Sequence, residues 1–277
     1  MSKPIREAKR MGDVGSGLTV FAIAYLLFLY VPVLFLPIFS FNDSIFIAFP
    51  LKGFTTKWYE QMFADQDMLD ALYASLKVGA IVAVISTILG LLGAKAVTRY
   101  RMPGQSAVTG LIMLPLFIPE IILGISLLIL INGFEIPLSL ITVGIGHVML
   151  CTPFAMAVLT SRLDGFDRSL EEASMDLGES PWMTFWRVTF PLAAPGIVSS
   201  LLLTFIVSFD EFLLSFFLAG LQPTLPVYFW SQLRFPARLP GVLSLGALIL
   251  ISSCILVFFA EWVRQLGTTG ERKVGVA

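Results

Sequence analysis

The sequence predicts an all-α integral membrane protein with six transmembrane helices. Hydrophobic residues make up 57% of the 277-residue chain, its mean hydropathy is +0.87, and only 13% of its residues are charged. A soluble domain usually carries about a quarter charged residues, so most of this surface does not meet water. Several apolar runs reach the roughly 20 residues that a helix needs to cross about 30 Å of hydrocarbon. The net charge of −1 gives no support to a nucleic-acid partner.

Six apolar segments are the predicted spans: 17–41, 73–97, 107–132, 137–161, 193–219 and 242–264. The first follows a basic N-terminus but is longer than the apolar core of a signal peptide, and no small-residue cleavage site follows it, so it is predicted to stay as a helix. The chain then divides into three parts. These are an N-terminal tail with the first span and an extracytoplasmic loop, a five-helix core, and a cytoplasmic tail: 1–72, 73–264 and 265–277.

The placement of lysine and arginine predicts which loops face the cytoplasm, because cytoplasmic loops carry an excess of both. Most of the 18 lie in the two termini and in the loops near 98–106 and 162–192. The segments on the other side hold the rest, namely Lys52, Lys57, Lys77, Arg234 and Arg238. Both termini and the 162–191 loop are therefore predicted to be cytoplasmic, and the 42–72 loop extracytoplasmic.

The cytoplasmic loop 162–191 is predicted to form two short helices joined by a tight turn. Asp167 or Ser169 can cap the first helix, and Gly178 can end it in the left-handed conformation. Ser180 and Pro181 suit the start of the second helix. Apolar side chains repeat along one face of the first, at Leu170, Ala173 and Leu177. An apolar ridge in the cytoplasm indicates a docking site for a partner protein, the alternative being a helix pair that lies on the membrane.

The same loop resembles the EAA signature of binding-protein-dependent ABC importer permeases. That signature reads Glu-Ala-Ala, three residues, Gly, nine residues, Ile, any residue, Leu and Pro. This chain has the matching spacing, with mild departures at its third, fifth and sixth positions: Glu172, Ala173, Ser174, Gly178, Val188, Phe190 and Pro191. Segments 41–44, 53–59, 147–154 and 161–167 are similar, more narrowly, to the second permease of spermidine/putrescine importers, whereas 221–241 departs from it.

The resemblance implies a multi-pass permease subunit of an ATP-driven importer in a bacterial inner membrane. The solute would be small and cationic, such as putrescine or spermidine, or alternatively another small solute such as an amino-acid derivative. The implied partners are a second permease subunit, commonly non-identical, two ATP-binding subunits, an extracytoplasmic solute-binding protein and membrane lipid. The loop helices would couple to the ATPase through Glu171, Glu172, Ala173, Ser174, Asp176, Leu177, Gly178 and Pro191.

No cofactor is expected on this chain. It has no G-x-x-x-x-G-K-[ST] loop to cradle nucleotide phosphates, so ATP and magnesium are expected on the partner ATPase. No catalytic residues are predicted either, because an intramembrane enzyme would need a serine–histidine pair or a histidine-rich metal motif and the chain has one histidine. A lone histidine makes no metal site, so His147 is expected to be packed and hydrogen-bonded. A stand-alone ion-coupled carrier would leave the 162–191 loop unexplained.

Three acidic residues lie inside predicted spans: Glu120 in the third, and Asp210 and Glu211 in the fifth. A carboxylate at mid-bilayer costs roughly 2.5–3.5 kcal/mol on insertion scales, so it seldom faces lipid. The cores of these two spans contain no basic residue, and we expect the acids to line a path for a cation. The alternatives are that they are protonated, bonded to Ser or Thr of neighbouring helices, or nearer the outer interface.

The aromatic residues near the predicted outer interface include Tyr228 and Trp230. Anchoring in the interfacial aromatic belt is their commonest role in membrane proteins. A sharper hypothesis is that these two help to close an outer gate over an amine by cation–π contact.

Overall fold

A computed structural model describes the backbone of residues 4–100 and 103–271, and the side chains of residues 17–100 and 103–255. The described chain is mostly helical, with short 3₁₀ turns at 114–116 and 236–238 and one π-helical turn, Phe185–Thr189. Its α-helices, in chain order, are α1 (Pro4–Ser40), α2 (Lys57–Ala64), α3 (Gln66–Arg99), α4 (Gln105–Met113), α5 (Glu120–Gly133), α6 (Leu140–Asp164), α7 (Ser169–Asp176), α8 (Pro181–Thr184), α9 (Phe190–Asp210), α10 (Leu213–Leu218), α11 (Leu225–Gln232) and α12 (Leu239–Glu271).

Five of the described helices are long and apolar enough to cross a membrane, and a bent helix pair makes a sixth candidate. This agrees with the predicted number of spans. The third span, however, is not the straight helix expected over 107–132. Its two halves, Gln105–Leu116 and Glu120–Gly133, meet at an angle of 101°. Pro115 and Pro119 explain the break, because proline removes an amide donor and its ring clashes with the preceding turn.

The fifth span also differs from the expected 193–219. It begins earlier, since α8, the π turn and α9 form one apolar helix over Pro181–Asp210. Pro191 lies just after the π turn, and because proline has no amide donor it interrupts the regular hydrogen bonding of a helix there. The helix then stops at Asp210, two residues break it, and α10 follows. The second loop helix is therefore continuous with the span and is not a separate element.

The described chain divides into two compact units. One contains α1, α2 and α12, with α12 packed against both of the others. Its loop 42–56 is fastened by a bridge between Asn42 and Phe54 and by the buried Trp58, whose indole N–H donates to the Asn42 carbonyl at 2.8 Å. The basic residues near the two ends, on which the predicted orientation partly rests, lie outside the described side chains.

The second unit, Gln66–Ser231, is built around α3, α6 and α9, which pack against one another. A Cβ placed on Gly90 of α3 would lie 2.6 Å from the Cβ of Ala155, so glycine is what permits α3 and α6 to touch. Its core includes two apolar clusters among the described residues. One joins α3, α5, α6 and α10, and the other joins the ends of α3 and α6 that lead into the cytoplasmic loop to the start of α9.

Candidate functional site

The first loop helix, α7, forms as the sequence predicts. The carboxylate of Asp167 accepts a hydrogen bond from the Ser169 backbone amide at 3.0 Å, and this bond, with a further one from the Ser169 hydroxyl, lowers the pKa of Asp167. The acidic first turn suits the positive end of the helix dipole. The helix ends at Gly178, whose φ of 94° lies in the left-handed region. The predicted glycine terminus is confirmed. The predicted cap is not, because Arg168 occupies the N-cap position without a side-chain capping bond and Asp167 bonds from the position before it.

The second loop helix also begins where expected. The Ser180 hydroxyl accepts from the Met183 backbone amide at 3.2 Å, and Pro181 is the first residue of α8. Ser174 and Thr184 join the two helices through their hydroxyls, 3.1 Å apart. Ser174 therefore links the two helices of the loop.

An apolar ridge is exposed on this loop, as the sequence predicted. Leu170 is 47% exposed and Leu177 is 88% exposed, and Ala173 lies exposed between them. The structure adds Trp182, which is 68% exposed on α8 and which the helical pattern of α7 could not reveal. Asp176 and Pro191 are exposed as well. Apolar and aromatic side chains in this position form a surface suited to docking a protein.

The two adjacent glutamates of α7 have different environments. Glu172 is exposed and lies 3.5 Å from Arg168 one helical turn away. Glu171 is buried, lies 2.7 Å from Arg99 Nε and accepts a hydrogen bond from the Thr189 hydroxyl. Of the two, Glu172 is the one that a partner can reach.

The three intramembrane acids lie at the two helix breaks. Glu120 is the first residue of α5 and is exposed, and Asp210 is the last residue of α9 and is exposed. Glu211 is buried in the second break, and its carboxylate accepts from the Leu214 backbone amide of α10 at 2.9 Å. The helix α5 packs against α10, and we call the three acids beside the first residues of these helices the acidic cluster.

His147, on α6, contacts residues on both sides of the second break. Its Nδ1 lies 2.8 Å from the Ser208 hydroxyl in α9, and its Nε2 lies 3.1 Å from the Ser215 hydroxyl in α10. Thr142, also on α6, donates to the Leu218 carbonyl at the end of α10 at 2.8 Å. The expected packed and hydrogen-bonded role of His147 is confirmed. Because its partners lie in α9 and α10, His147 supports the break between these two helices.

Aromatic side chains extend from the acidic cluster. Phe212 follows Glu211 directly, and its ring lies 5.6 Å from that of Trp230, which is 48% exposed. Tyr228, the other aromatic proposed for a gate, is buried. Within the part of the chain that the structure describes, no cluster of His, Cys, Asp and Glu could hold a metal ion.

Comparison with known proteins identifies the family of this chain. Residues 86–265 match the family described as the binding-protein-dependent transport system inner membrane component. The putrescine transport system permease protein PotI of Escherichia coli (strain K12) is 36% identical over 244 residues, covering 85% of this chain and 86% of that protein. The spermidine/putrescine transport system permease protein PotC of the same strain is 32% identical over 257 residues, covering 91% and 97%.

Solved structures agree on the fold. A bacterial alginate ABC transporter, in complex with an alginate pentasaccharide-bound periplasmic protein, superposes with a TM-score of 0.72 at 15% identity, covering 96% of this chain and 98% of that one. The MetNI methionine ABC transporter gives a TM-score of 0.55 at 19% identity, covering 70% and 92%. At such identities the likeness establishes the fold alone. The family match and the two permease relatives together show that the chain belongs to the inner membrane components of binding-protein-dependent transport systems.

Proposed function

We propose that this chain is the permease subunit of an importer for polyamines such as putrescine or spermidine. The observation that supports this most strongly is the acidic cluster of Glu120, Asp210 and Glu211 at the two helix breaks. The names of the relatives PotI and PotC point to the same class of solute.

A polyamine carries at least two positive charges and loses much hydration energy on leaving water. Carboxylates in a cavity with low-dielectric walls can replace that hydration, because their attraction for a cation is stronger there than in water. The helix breaks place Glu120 and Asp210 where they are exposed, while Glu211 is bound to the backbone of α10. Trp230, next to Phe212, offers an aromatic face to an ammonium group.

The other subunits of the transporter are proposed from the family to which the chain belongs. The permease pairs with a second permease, commonly non-identical, and two ATPase subunits hold ATP and magnesium on the cytoplasmic side. The exposed ridge of Leu170 and Leu177 seats on an ATPase subunit, and Glu172 is the polar group beside it. Closure of the ATPase pair then moves the loops and switches the transmembrane helices between inward-open and outward-open states. Both termini of the chain lie in the cytoplasm.

The charge proposal is tested by neutralising the cluster without changing its shape. Asp210→Asn combined with Glu211→Gln removes both charges, and the glutamine oxygen can still accept from the Leu214 amide. Uptake of radiolabelled putrescine by the assembled transporter should fall about tenfold or more, since a hydrogen bond to a charged group contributes roughly 1.5–3 kcal/mol. Assembly and basal ATP hydrolysis should be kept.

Glu135→Gln is the matched control, because Glu135 is an exposed carboxylate beyond the opposite end of α5 from Glu120. It should leave uptake unchanged. Unchanged uptake in the double variant would assign the two acids a structural role only. Uptake of a neutral amino-acid derivative in place of putrescine by the unaltered transporter would contradict the choice of solute.

A further inference from the structure

The cytoplasmic end of α3 carries a buried guanidinium group. The side chain of Arg99, the last residue of α3, is only 8% exposed although it is charged. A buried arginine needs a partner for its charge and acceptors for its donors. The contacts of Arg99 therefore identify the elements to which this end of α3 is bound.

The charge partner of Arg99 is Glu171 in the loop helix α7. Arg99 Nε lies 2.7 Å from Glu171 Oε2 in an ion pair whose angle does not make a hydrogen bond, and the Glu171 side chain is 9% exposed. The other carboxylate oxygen of Glu171 accepts from the Thr189 hydroxyl in the π turn. The Glu171 carboxylate thus links α7 both to the end of α3 and to the π turn of the fifth span.

Arg99 also contacts the end of α6. Its Nη2 donates to the Leu163 carbonyl at 3.1 Å, and its guanidinium lies 4.7 Å from the centre of the Phe166 ring. In return, Arg168 donates to the Arg99 backbone carbonyl at 3.0 Å. A planar group with several fixed donors can make these contacts at once, which lysine cannot.

We infer that Arg99 and Glu171 form a buried strut that makes α7 move as one body with the ends of α3 and α6 during transport. Arg99 is then a positioning residue for the transport cycle, and Glu171 acts within the chain and not on the ATPase. The inference rests on membership of the transporter family and is independent of the choice of polyamines as solute.

Two features favour a transmitting role over simple stabilisation. A buried ion pair adds little net stability compared with apolar side chains of the same size, so stability alone is a weak reason for one here. The pair also lies where α7, which is proposed to seat on the ATPase, meets the ends of α3 and α6. The Glu179–Arg187 ion pair of the same loop is more exposed and joins only the turn to the helix that follows it.

The direct test measures the distance between α7 and α3 in the assembled transporter. Spin labels are placed at Ser169 and Leu92, both exposed, in a Cys254→Ser background because Cys254 is exposed and Cys151 is buried. With Arg99 present, the distance should have one narrow distribution that stays the same without nucleotide and with MgATP. In Arg99→Gln and in Glu171→Gln the distribution should broaden or split when MgATP is added.

A second readout is ATP hydrolysis with and without the binding protein loaded with putrescine. In both variants this stimulation should fall about fivefold or more while basal hydrolysis is kept, as expected for lost coupling between sites. Arg99→Lys should restore stimulation only in part, and Thr189→Val, which keeps the ion pair, should have the mildest effect. The Glu179→Gln and Arg187→Gln variants are the controls and should behave as the unaltered protein does.

If the Arg99→Gln variant does not assemble, the Glu171→Gln variant alone tests the inference. The glutamine amide has the size of the carboxylate and keeps an acceptor for the Thr189 hydroxyl. An unchanged narrow distance and normal stimulation in Glu171→Gln would overturn the inference. If the unaltered transporter does not respond to putrescine, the polyamine proposal fails, whereas the spin-label distances still test the strut.

Discussion

His147 joins two helices that a break in the fifth span separates. Its two ring nitrogens lie within hydrogen-bond distance of Ser208 before the break and Ser215 after it. One nitrogen of a neutral imidazole donates and the other accepts, so a single side chain can satisfy both hydroxyls. The break that holds Glu211 is thus supported from α6 as well as by the cap that Glu211 itself provides.

Replacing His147 should destabilise the folded subunit. His147→Leu leaves the two serine hydroxyls without their partner in a buried site, at a cost of about 1–3 kcal/mol. The apparent Tm in detergent should fall by several degrees, since 1 kcal/mol corresponds to roughly 2–4 °C in a domain of this size. Thr152→Val is the control and should have a smaller effect, because the Thr152 hydroxyl bonds only within its own helix. Equal Tm values for the two variants would show that the bridge contributes nothing.

At the scale of elements, the turn between α7 and α8 sets the direction of the second loop helix. Gly178 has a φ of 94°, where a side chain costs roughly 1–2 kcal/mol and a β-branched one fits worst. The glycine has open space around it, so the constraint comes from the backbone and not from packing.

Gly178→Val should therefore misdirect α8 and uncouple transport. Putrescine uptake and its stimulation of ATP hydrolysis should both fall, while the chain still inserts into the membrane. Gly178→Asn should be milder, because asparagine tolerates the left-handed region. Gly110→Val, at an equally open glycine with no left-handed φ, should leave transport unaffected. Normal transport by Gly178→Val with the ATPase bound would contradict the coupling role of the turn.

At the scale of the whole molecule, the excess of lysine and arginine predicts that the 162–191 loop and the 42–72 loop lie on opposite sides of the membrane. The first carries the exposed ridge, and the second contains α2 and the start of α3. The short segment between α11 and α12, which includes the exposed Arg234, is predicted to share the side of the 42–72 loop.

Crosslinking should reveal this topology. In the Cys254→Ser background, a crosslinker at Asp65 or Arg234 should capture the solute-binding protein when MgATP is bound, and one at Leu177 should capture the ATPase. The partners are expected to be exclusive, because a bilayer separates the sites. Capture of the ATPase from Arg234 would mean that the orientation is inverted.

The sequence by itself determined the features that depend on neighbouring residues. Apolar length fixed the number of spans, because each must cross the same thickness of hydrocarbon. The end of α7 could be assigned from Gly178, since a left-handed terminus is a local requirement, whereas Asp167 indicated the start only approximately. The break in the third span was not predicted, although the two prolines that explain it, Pro115 and Pro119, are local features of the sequence.

Only the tertiary structure decided which residues act together. Hydropathy averages over a window and carries no signal for the break at Glu211, where the apolar run continues through Phe212 into α10. Glu171 and Glu172 are identical in type and adjacent in sequence, yet only Glu171 meets Arg99, because the pitch of α7 turns one side chain towards α3 and the other to solvent. The acidic cluster likewise depends on the packing of α5, which Glu120 begins, against α10, which Glu211 precedes. Contacts between residues far apart in sequence depend on the packing of whole helices, which local patterns do not specify.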